Sequence, residues 1–299
     1  MRKKAFAAFL LVSCAAFAWG DEVKLLSGET LTVTDVKTDG THVTMVHPVL
    51  GRLEVPATHV TEIKHTDGTK VTGTGDPIPE PPPKWKFRAE LGVNGSSGNT
   101  RTQDLRAAIG ALLETPSERW KFDGVYNRSK TDGEVTKKNW YLQGLHDWLF
   151  KDSPWLVFAQ ARYDWDDFQP WDSRISAGVG IGYTLIKNDD TQLRLRAGFF
   201  ETRENGGPND GEWRPEGMLG ADASHKLSKT QTLEGAITWY PDLQEAGEYR
   251  IVASASWSVK LSDNGLSLKA GVEEEYDTHK EAPFERDDVK YFVALLYEF

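Results

Sequence analysis

Apolar and polar positions alternate along much of this chain with a period of two, which indicates β-strands rather than helices. The pattern is clearest in the final stretch, DVKYFVALLYEF. One side of that stretch carries Val289, Tyr291, Val293, Leu295, Tyr297 and Phe299. An edge strand this apolar promotes aggregation in a soluble domain. A closed barrel removes the edge because its last strand pairs with its first, so the pattern predicts a barrel.

Similar stripes recur from residue 85 onward, and the series predicts twelve antiparallel transmembrane strands. They lie around residues 85–93, 105–113, 120–126, 139–149, 155–165, 175–185, 193–199, 219–223, 233–239, 249–261, 266–272 and 289–299. An even number is typical of single-chain bacterial outer-membrane barrels. Segment 139–149 is apolar on both faces, so the pattern does not distinguish its outward side.

The connections between these strands alternate in length. Short turns such as TPSE and SDNG alternate with longer polar segments at 127–138, 166–173, 201–213, 241–248 and 277–288. Bacterial barrels place short turns in the periplasm and long loops outside. We therefore expect the outer membrane of a Gram-negative bacterium, with both chain termini in the periplasm. A soluble β-sandwich is the alternative, but it does not explain this alternation.

The first twenty residues have the features of a secretory signal peptide. Arg2 to Lys4 form the positive end, an apolar stretch follows, and Ala16-Phe17-Ala18 fits a cleavage site. The tetrapeptide ending in Cys14 also fits a lipoprotein box, which would make Cys14 a lipidated terminus. Cys14 is the only cysteine, so its loss with the signal would exclude disulfides.

A proline-rich segment at residues 76–84 divides the exported chain, because consecutive prolines favour an extended linker. Before it, residues 21–75 contain short Val- and Thr-rich alternating runs, which predict four or five strands in a small SH3-like β domain in the periplasm. After it, residues 85–299 form the predicted barrel. The net charge of −10 argues against a nucleic-acid partner.

Two stretches resemble known outer-membrane sequences. KWKFRAELGVNGSSGNTRTQDL, with its SGNT hairpin, resembles the start of the YdiY-like family of salt-induced outer-membrane proteins, over roughly residues 85–299. The ending YFVALLYEF resembles the aromatic signal that the barrel-assembly machinery recognises, with Tyr291, Tyr297 and Phe299 as its aromatic residues. The resemblance implies a barrel in contact with outer-membrane lipids. That family is of unknown function and supplies no catalytic residues to transfer.

Aromatic residues near strand ends are typical of membrane interfaces. The predicted interfacial residues are Trp85, Trp120, Trp155, Trp165, Trp239, Trp257 and Tyr297. The opposite strand faces carry charges that are expected to line a lumen. These lumen residues are Arg88, Arg162, Arg194, Arg196, Arg250, Lys260, Glu234, Glu273 and Glu275. Charges of both signs either pair and close the lumen or line a narrow aqueous path, and a slight excess of Arg and Lys favours small anions.

The residues predict no cofactor, no metal site and no enzyme activity. An outer-wall lipase would need His146, but the neighbouring Asp147 points to the opposite face of the strand. We expect His146, His225 and His279 to be solvated or interfacial. The four histidines between His42 and His65 have no ligand spacing. Acidic runs at 164–168, 273–277 and 285–288 lack the spacing of a calcium loop and are expected to be solvated.

The sequence therefore predicts a passive narrow channel or an envelope-integrity protein. The alternative is a non-conducting membrane anchor whose N-terminal β domain binds a periplasmic protein or peptidoglycan. The two differ in whether the charged lumen conducts, which the residues leave open.

Overall fold

A computed structural model describes residues 20–66, 69–78, 83–97, 100–208, 210–280 and 283–299. Residues 1–19 of the predicted signal peptide, with Cys14, lie outside the described residues, as do residues 79–82 of the linker and residues 98–99 of the SGNT motif. The chain divides into two compact units between Pro82 and Pro83. In the described part of the chain, no helix is both long enough and apolar enough to cross a membrane.

The N-terminal unit is an antiparallel sheet of six strands rather than the expected four or five. The strands are β1 (Asp21–Leu25), β2 (Thr30–Thr38), β3 (His42–His47), β4 (Gly51–Pro56), β5 (Val60–Lys64) and β6 (Lys70–Val71). Their spatial order is β4-β3-β2-β1-β5-β6. Val and Ile at alternate positions meet in one core, with Val23, Val43 and Ile63 at its centre. The SH3-like class stays a prediction.

The first residues of the predicted linker hydrogen-bond to the N-terminal sheet. The Ile78 amide donates to the Lys70 carbonyl at 3.0 Å, and the Thr72 amide donates to Asp76 at 2.8 Å. Pro77 also forms an isolated bridge with Val71. Residues 76–78 therefore extend the first unit, because a proline at a sheet edge needs no ladder donor of its own.

The C-terminal unit is a closed antiparallel barrel of twelve strands, as predicted. The strands are β7 (Lys86–Ser96), β8 (Thr102–Glu114), β9 (Glu118–Thr131), β10 (Glu134–Leu149), β11 (Trp155–Asp166), β12 (Ser173–Lys187), β13 (Thr191–Asn205), β14 (Trp213–Lys226), β15 (Gln231–Pro241), β16 (Tyr249–Lys260), β17 (Leu266–Asp277) and β18 (Asp287–Glu298). Each strand pairs with the next one in the chain, and β18 closes the ring on β7.

The closure joins the two ends of the barrel sequence. Leu295 and Glu298 of β18 lie opposite Leu91 and Arg88 of β7. Just beyond this register, Phe87 and Phe299 exchange backbone hydrogen bonds of 2.9 and 3.0 Å. The apolar edge strand at the end of the chain is thereby paired, which is the reason that the sequence predicted a closed barrel.

We call the end of the barrel that carries the longer polar connections the loop end. At this end the strands extend beyond their apolar stripes. The predicted long segment at 127–138 is wrong: β9 and β10 run through it to a two-residue turn at Asp132 and Gly133. Both turn residues have positive φ, 52° and 94°, as a type I′ hairpin turn requires. Residues 201–205 of the predicted segment at 201–213 likewise continue β13. The turn end, at the other mouth, has short connections throughout.

The barrel exterior is apolar between its two ends. Large exposed apolar side chains there include Leu91, Ile109, Leu142, Val179, Ile181, Phe199, Ile237 and Val293. They alternate with side chains that point inward, as the period of two requires. An apolar band of this kind on a closed sheet is the surface that a bilayer covers.

One side of the interior is filled by apolar packing. Phe158 and Phe200 are completely or almost completely buried and form a cluster with Leu156, Met218 and Tyr240. They fit because β12 presents inward glycines: a Cβ on Gly180 would lie 2.3 Å from the Ala197 carbonyl oxygen and 2.7 Å from the Phe158 ring. The wall around β12 is therefore a core, and open space lies toward the other strands.

Candidate functional site in the barrel interior

The barrel encloses a central cavity of about 610 Å³. Its lining includes Glu114 and Asp190 at the turn end and Gln169 and Trp171 at the loop end. The cavity therefore extends along the barrel axis instead of being confined to one mouth. Many of its lining side chains are charged or polar, because the inward positions of the strands alternate with the apolar outward ones.

Eight of the nine sequence-predicted lumen residues line this cavity: Arg88, Arg162, Arg194, Arg196, Arg250, Glu234, Glu273 and Glu275. Lys260 has the same inward parity but lies at the last position of β16. Its ammonium pairs with Asp263 in the following turn at 3.1 Å. This position brings Lys260 to the rim of the barrel instead of the cavity.

A charge cluster lies near the turn end. The Asp147 carboxylate is fully buried and forms ion pairs with Arg196 Nη2 at 3.1 Å and Arg119 Nε at 3.7 Å. Arg196 also pairs with Asp222. Arg194 lies 3.5 Å from the same Asp222. Since β10 and β13 are three strands apart, Arg196 crosses part of the lumen to reach its acid.

Further ion pairs occupy the middle of the interior. Arg88 pairs with Asp123, and Lys269 reaches Glu90 at 2.8 Å. These contacts pair four of the charges that line the cavity. Pairing of this kind offsets part of the cost of removing charges from water.

A crossing of the lumen lies toward the loop end. Arg174 of β12 contacts Glu275 of β17 at 2.7 Å, and these strands are five positions apart in a ring of twelve. Asp277 and Glu204 lie 3.6 and 3.9 Å from the same guanidinium. The Arg174 guanidinium also stacks over the Trp171 ring at 4.7 Å. We call the contact between Arg174 and Glu275 the crossbar.

A second crossing lies at the turn end, where Arg194 of β13 is 3.9 Å from Glu114 of β8. These strands are also five positions apart. The Glu114 side chain is partly exposed, so this crossing is wetter and weaker than the crossbar. The two crossings narrow the path through the barrel at different depths.

Charge in the cavity is nearly balanced. Among the described residues that line it, twelve are Lys or Arg and fourteen are Asp or Glu. The expected slight excess of basic residues is therefore wrong. Inward positions such as Asp166, Asp190 and Glu298 add acids that the stripe analysis left out.

The acidic runs lie mostly in strands instead of solvated loops. Asp164 contacts Arg162 at 2.7 Å, and Glu273 contacts Arg106 at 2.7 Å. Every second acid of a run points inward because the strand continues through it. The expectation of solvated loops is wrong for 164–166 and 273–277, whereas 285–286 lies in the connection before β18.

His279 lies partly buried between two carboxylates and is not solvated as expected. Its Nδ1 lies 3.0 Å from Asp277 and its Nε2 lies 3.0 Å from Asp242. Burial, the largest single cause, lowers the pKa of His279, but the hydrogen bonds to Asp277 and Asp242 and the charge of Asp277 together outweigh it and raise the pKa. His279 thus links the connection after β15 to the connection after β17.

His146 lies on the barrel exterior and Asp147 on the interior, as the strand geometry predicted. The structure also resolves the ambiguous faces of this segment: Trp140, Leu142 and Trp148 share the side of His146. His225, near the turn after β14, accepts or donates a hydrogen bond at 2.8 Å to Thr191. Among the described residues, no group of three or more His, Cys, Asp or Glu side chains is arranged to hold a metal ion.

The sequence-predicted interfacial aromatics fall near the two barrel ends. Trp85, Trp120, Trp155, Trp257 and Tyr297 lie toward the turn end, and Trp165 and Trp239 lie toward the loop end. The predicted assembly-signal residues Tyr291, Tyr297 and Phe299 all have exposed rings. Trp148 at the turn end and Trp213 at the loop end belong to the same bands, although the sequence reasoning did not select them.

Several interior residues were also missed. Arg174 shares the parity of the inward Ser176, but it lies between the predicted loop at 166–173 and the predicted stripe that begins at Ile175. Asp147 lies in the segment whose faces could not be distinguished. Extending each stripe by parity to the next turn would have found both, because the side-chain alternation continues beyond the apolar residues.

These features define a class. A closed antiparallel barrel of even strand number, apolar outside and charged inside, is an outer-membrane type β-barrel. The family model described as "Protein of unknown function, DUF481" matches residues 89–299, and the chain belongs to this family. The match confirms the resemblance to a family of unknown function.

A comparison with solved structures finds matches over about three quarters of this chain at low sequence identity. The translocator domain of autotransporter NalP from Neisseria meningitidis is 14% identical, with 72% of this chain and 88% of that chain covered and a TM-score of 0.39. The COG4313 outer-membrane channel from Pseudomonas putida F1 is 9% identical, with 74% and 97% covered and a TM-score of 0.43. The KdgM porin is 13% identical, with 72% and 98% covered and a TM-score of 0.39. No curated protein matches the chain.

Proposed function

We propose that the barrel is a passive narrow channel of the bacterial outer membrane and performs no catalysis. The observation that carries this proposal is the cavity of about 610 Å³, whose polar lining includes residues from both barrel ends. Water and small solutes follow a polar, charge-lined path more readily than an apolar one. The apolar exterior supports the membrane location, since lipid tails cover it without an aqueous penalty.

The path runs beside the apolar cluster and past the two crossings. The cluster around Phe158 and Phe200 fills the wall at β12, so solutes move along the opposite wall, which carries Arg88, Arg106 and Lys269. The crossbar and the contact between Arg194 and Glu114 restrict the width. We therefore expect small conductance, and near-balanced charge gives weak selectivity between anions and cations.

Planar-bilayer recordings test the channel. The wild-type chain is expected to give small, discrete conductance steps with a reversal potential close to zero in a salt gradient. Replacement Arg174→Ala removes the crossbar cation and leaves Glu275 and Asp277 in the lumen. Its conductance should rise and its reversal potential should shift toward cation selectivity. Arg52→Ala in the N-terminal unit is the matched control and should change neither. Absence of steps from folded wild-type barrel would contradict the proposal.

We also propose that the short turns and both chain termini face the periplasm. The supporting observation is the difference between the ends: turns of a few residues at one end, and connections such as 242–248 and 278–286 at the other. Intact cells carrying a single cysteine at Gln244 should react with an impermeant maleimide, whereas Ser262→Cys cells should react only after lysis. The opposite labelling pattern would reverse the orientation.

The second candidate function is a non-conducting anchor for the N-terminal unit. Its supporting observation is the turn between β3 and β4, where Val49 and Leu50 are 83% and 63% exposed. Exposed apolar side chains at a turn favour a protein partner over peptidoglycan. Deletion of residues 21–80 discriminates: a pore keeps its conductance, whereas an anchored binder loses the co-purifying periplasmic partner.

Contacts with outer-membrane lipids and with the barrel-assembly machinery are part of the same proposal. The outward rings of Tyr291, Tyr297 and Phe299 support recognition of the last strand during assembly. Replacing all three by serine should lower the amount of folded barrel in membranes while leaving export unchanged.

A further inference from the structure

The exterior of β9 and β10 carries a carboxylate among aromatic rings near the turn end. Glu118 and Trp120 of β9 lie opposite Trp148 and His146 of β10 in the antiparallel register. All four side chains have the outward parity of the neighbouring Phe122, which is exposed. We call these four residues the turn-end aromatic site.

The aromatic rings of this site contact one another. His146 lies over Trp120 with ring centroids 3.7 Å apart and an interplanar angle of 12°. The Trp148 ring is 4.1 Å from His146 on the neighbouring position of the same face. Trp120 also stacks on Phe122 at 6.0 Å, and Phe122 contacts Trp85 at 6.1 Å. The site therefore belongs to the aromatic band at this end.

Glu118 is held by the rings but not covered by them. Trp120 Nε1 donates to Glu118 Oε2 at 3.1 Å, and His146 Nε2 lies 3.2 Å from the same oxygen. Both contacts converge on Oε2, and 40% of the Glu118 side chain stays exposed. The carboxylate is thus fixed in direction and open to a further cation from outside the barrel.

A carboxylate on a lipid-facing wall raises the free energy of the folded barrel unless a cation or water meets it. Aromatic bands lie at the depth of lipid headgroups. A carboxylate beside indole faces combines a hydrogen-bond acceptor with cation–π attraction, which suits an ammonium group. The apolar surface continues from the site through Phe122 and Leu142, where an acyl chain can lie.

We propose that the turn-end aromatic site binds the primary ammonium of a phospholipid headgroup, as in phosphatidylethanolamine. The ammonium donates to Glu118 and lies against the Trp148 ring, while the acyl chains pack along the exterior. A soluble amine would lack the apolar contacts, so the exterior position favours a lipid. This inference rests on the proposed membrane location but not on conduction.

Native mass spectrometry of the full, detergent-folded chain tests the site. The delipidated protein is incubated with an equimolar mixture of phosphatidylethanolamine, phosphatidylcholine and phosphatidylglycerol. Wild type should retain phosphatidylethanolamine about three- to tenfold over the other two. Glu118→Gln keeps an oxygen that accepts from Trp120 and His146, so the fold stays, but the preference should disappear.

The matched control is Glu201→Gln, which removes an outward carboxylate at the loop end and should keep the preference. Equal retention of all three lipids by wild type, or an unchanged preference in Glu118→Gln, would overturn the proposal. Retention of phosphatidylcholine equal to phosphatidylethanolamine would overturn the primary-ammonium assignment, because a quaternary ammonium has no N–H donor. Conductance of the same preparation separates the two proposals: a conducting barrel without lipid preference refutes only this inference.

Discussion

Asp147 shows how single residues hold the interior together. Its side chain is 0% exposed and lies between the guanidinium groups of Arg196 and Arg119. A buried ion pair adds little net stability over an apolar substitute, but removal of one partner leaves the other charge unpaired in a poorly hydrated place. The acid is therefore expected to matter much more than a surface acid does.

Asp147→Ala should lower the free energy of unfolding by about 3–5 kcal/mol, because two arginines lose their shared acid. The measurement is the denaturant midpoint of the detergent-folded barrel. Asp263→Ala is the control, since Asp263 is fully exposed and pairs with Lys260 only at the rim, and it should leave the midpoint unchanged. Equal effects of the two substitutions would contradict the proposed interior network.

The charge of His279 is set by its two carboxylate neighbours. Both ring nitrogens lie 3.0 Å from carboxylates, Asp277 on β17 and Asp242 after β15, so both contacts are satisfied only when both nitrogens carry a proton. Arg214 on β14, 3.7 Å from Asp242, and Arg174 on β12, 3.6 Å from Asp277, oppose that positive charge. The net direction of the His279 pKa is upward.

Because the pKa of His279 is higher in the folded state than its unfolded value near 6.5, protonation of His279 stabilises the folded state. This stabilisation is fully present below the unfolded pKa and is lost as the pH rises through the folded pKa. Hydrogen exchange of 242–248 and 278–280 should therefore be slow at pH 5.5 and faster at pH 9, after correction for intrinsic rates. His279→Gln cannot gain the proton and should show no such change. A wild-type profile that is flat with pH would contradict this linkage.

At the scale of elements, β12 depends on its glycines. The inward faces of Gly178 and Gly180 admit the rings of Phe200 and Phe158, and a Cβ on either would overlap with neighbouring atoms. β12 therefore combines an outward apolar stripe with an inward face that is nearly bare. The sequence showed this asymmetry, but it did not show which rings fill the space.

Gly180→Ala should destabilise the barrel by about 1–3 kcal/mol, because the added methyl group must displace the Phe158 ring or the β13 backbone. Gly235→Ala is the matched control: its Cβ would meet the Ser254 carbonyl at 3.5 Å, an ordinary contact. Thermal unfolding in detergent compares the two. A control as damaging as Gly180→Ala would show that glycine flexibility, and not space, is what the strands need.

The sequence predicted the existence of the strands better than their extent. The twelve stripes confirmed by the barrel are apolar because lipid covers them. Outside that band the exterior becomes polar, so the apolar signal ends while the backbone ladder continues, as it does from Tyr126 to Thr131 in β9. The apolar residues of a strand therefore mark the part that lies within the membrane, and they do not show where the strand ends.

At the scale of the molecule, parity predicted which charges point inward but not which charges meet. Arg174 and Glu275 are 101 residues apart, and Lys269 and Glu90 are 179 residues apart. Their contacts depend on the strand tilt and register of the closed ring, which set the height of each residue. No local spacing in the sequence contains that information, so the crossbar could be described only from the structure.

The central claim is that the chain from residue 83 onward forms a closed barrel with lipid outside and paired charges inside. Gel migration of the chain after refolding into lipid vesicles, with and without boiling, tests it most directly. The account predicts that the unboiled protein stays in the vesicles and migrates as a compact band that boiling converts to the position of the unfolded chain. A chain that stays soluble without lipid or detergent, with one band under both conditions, would contradict it.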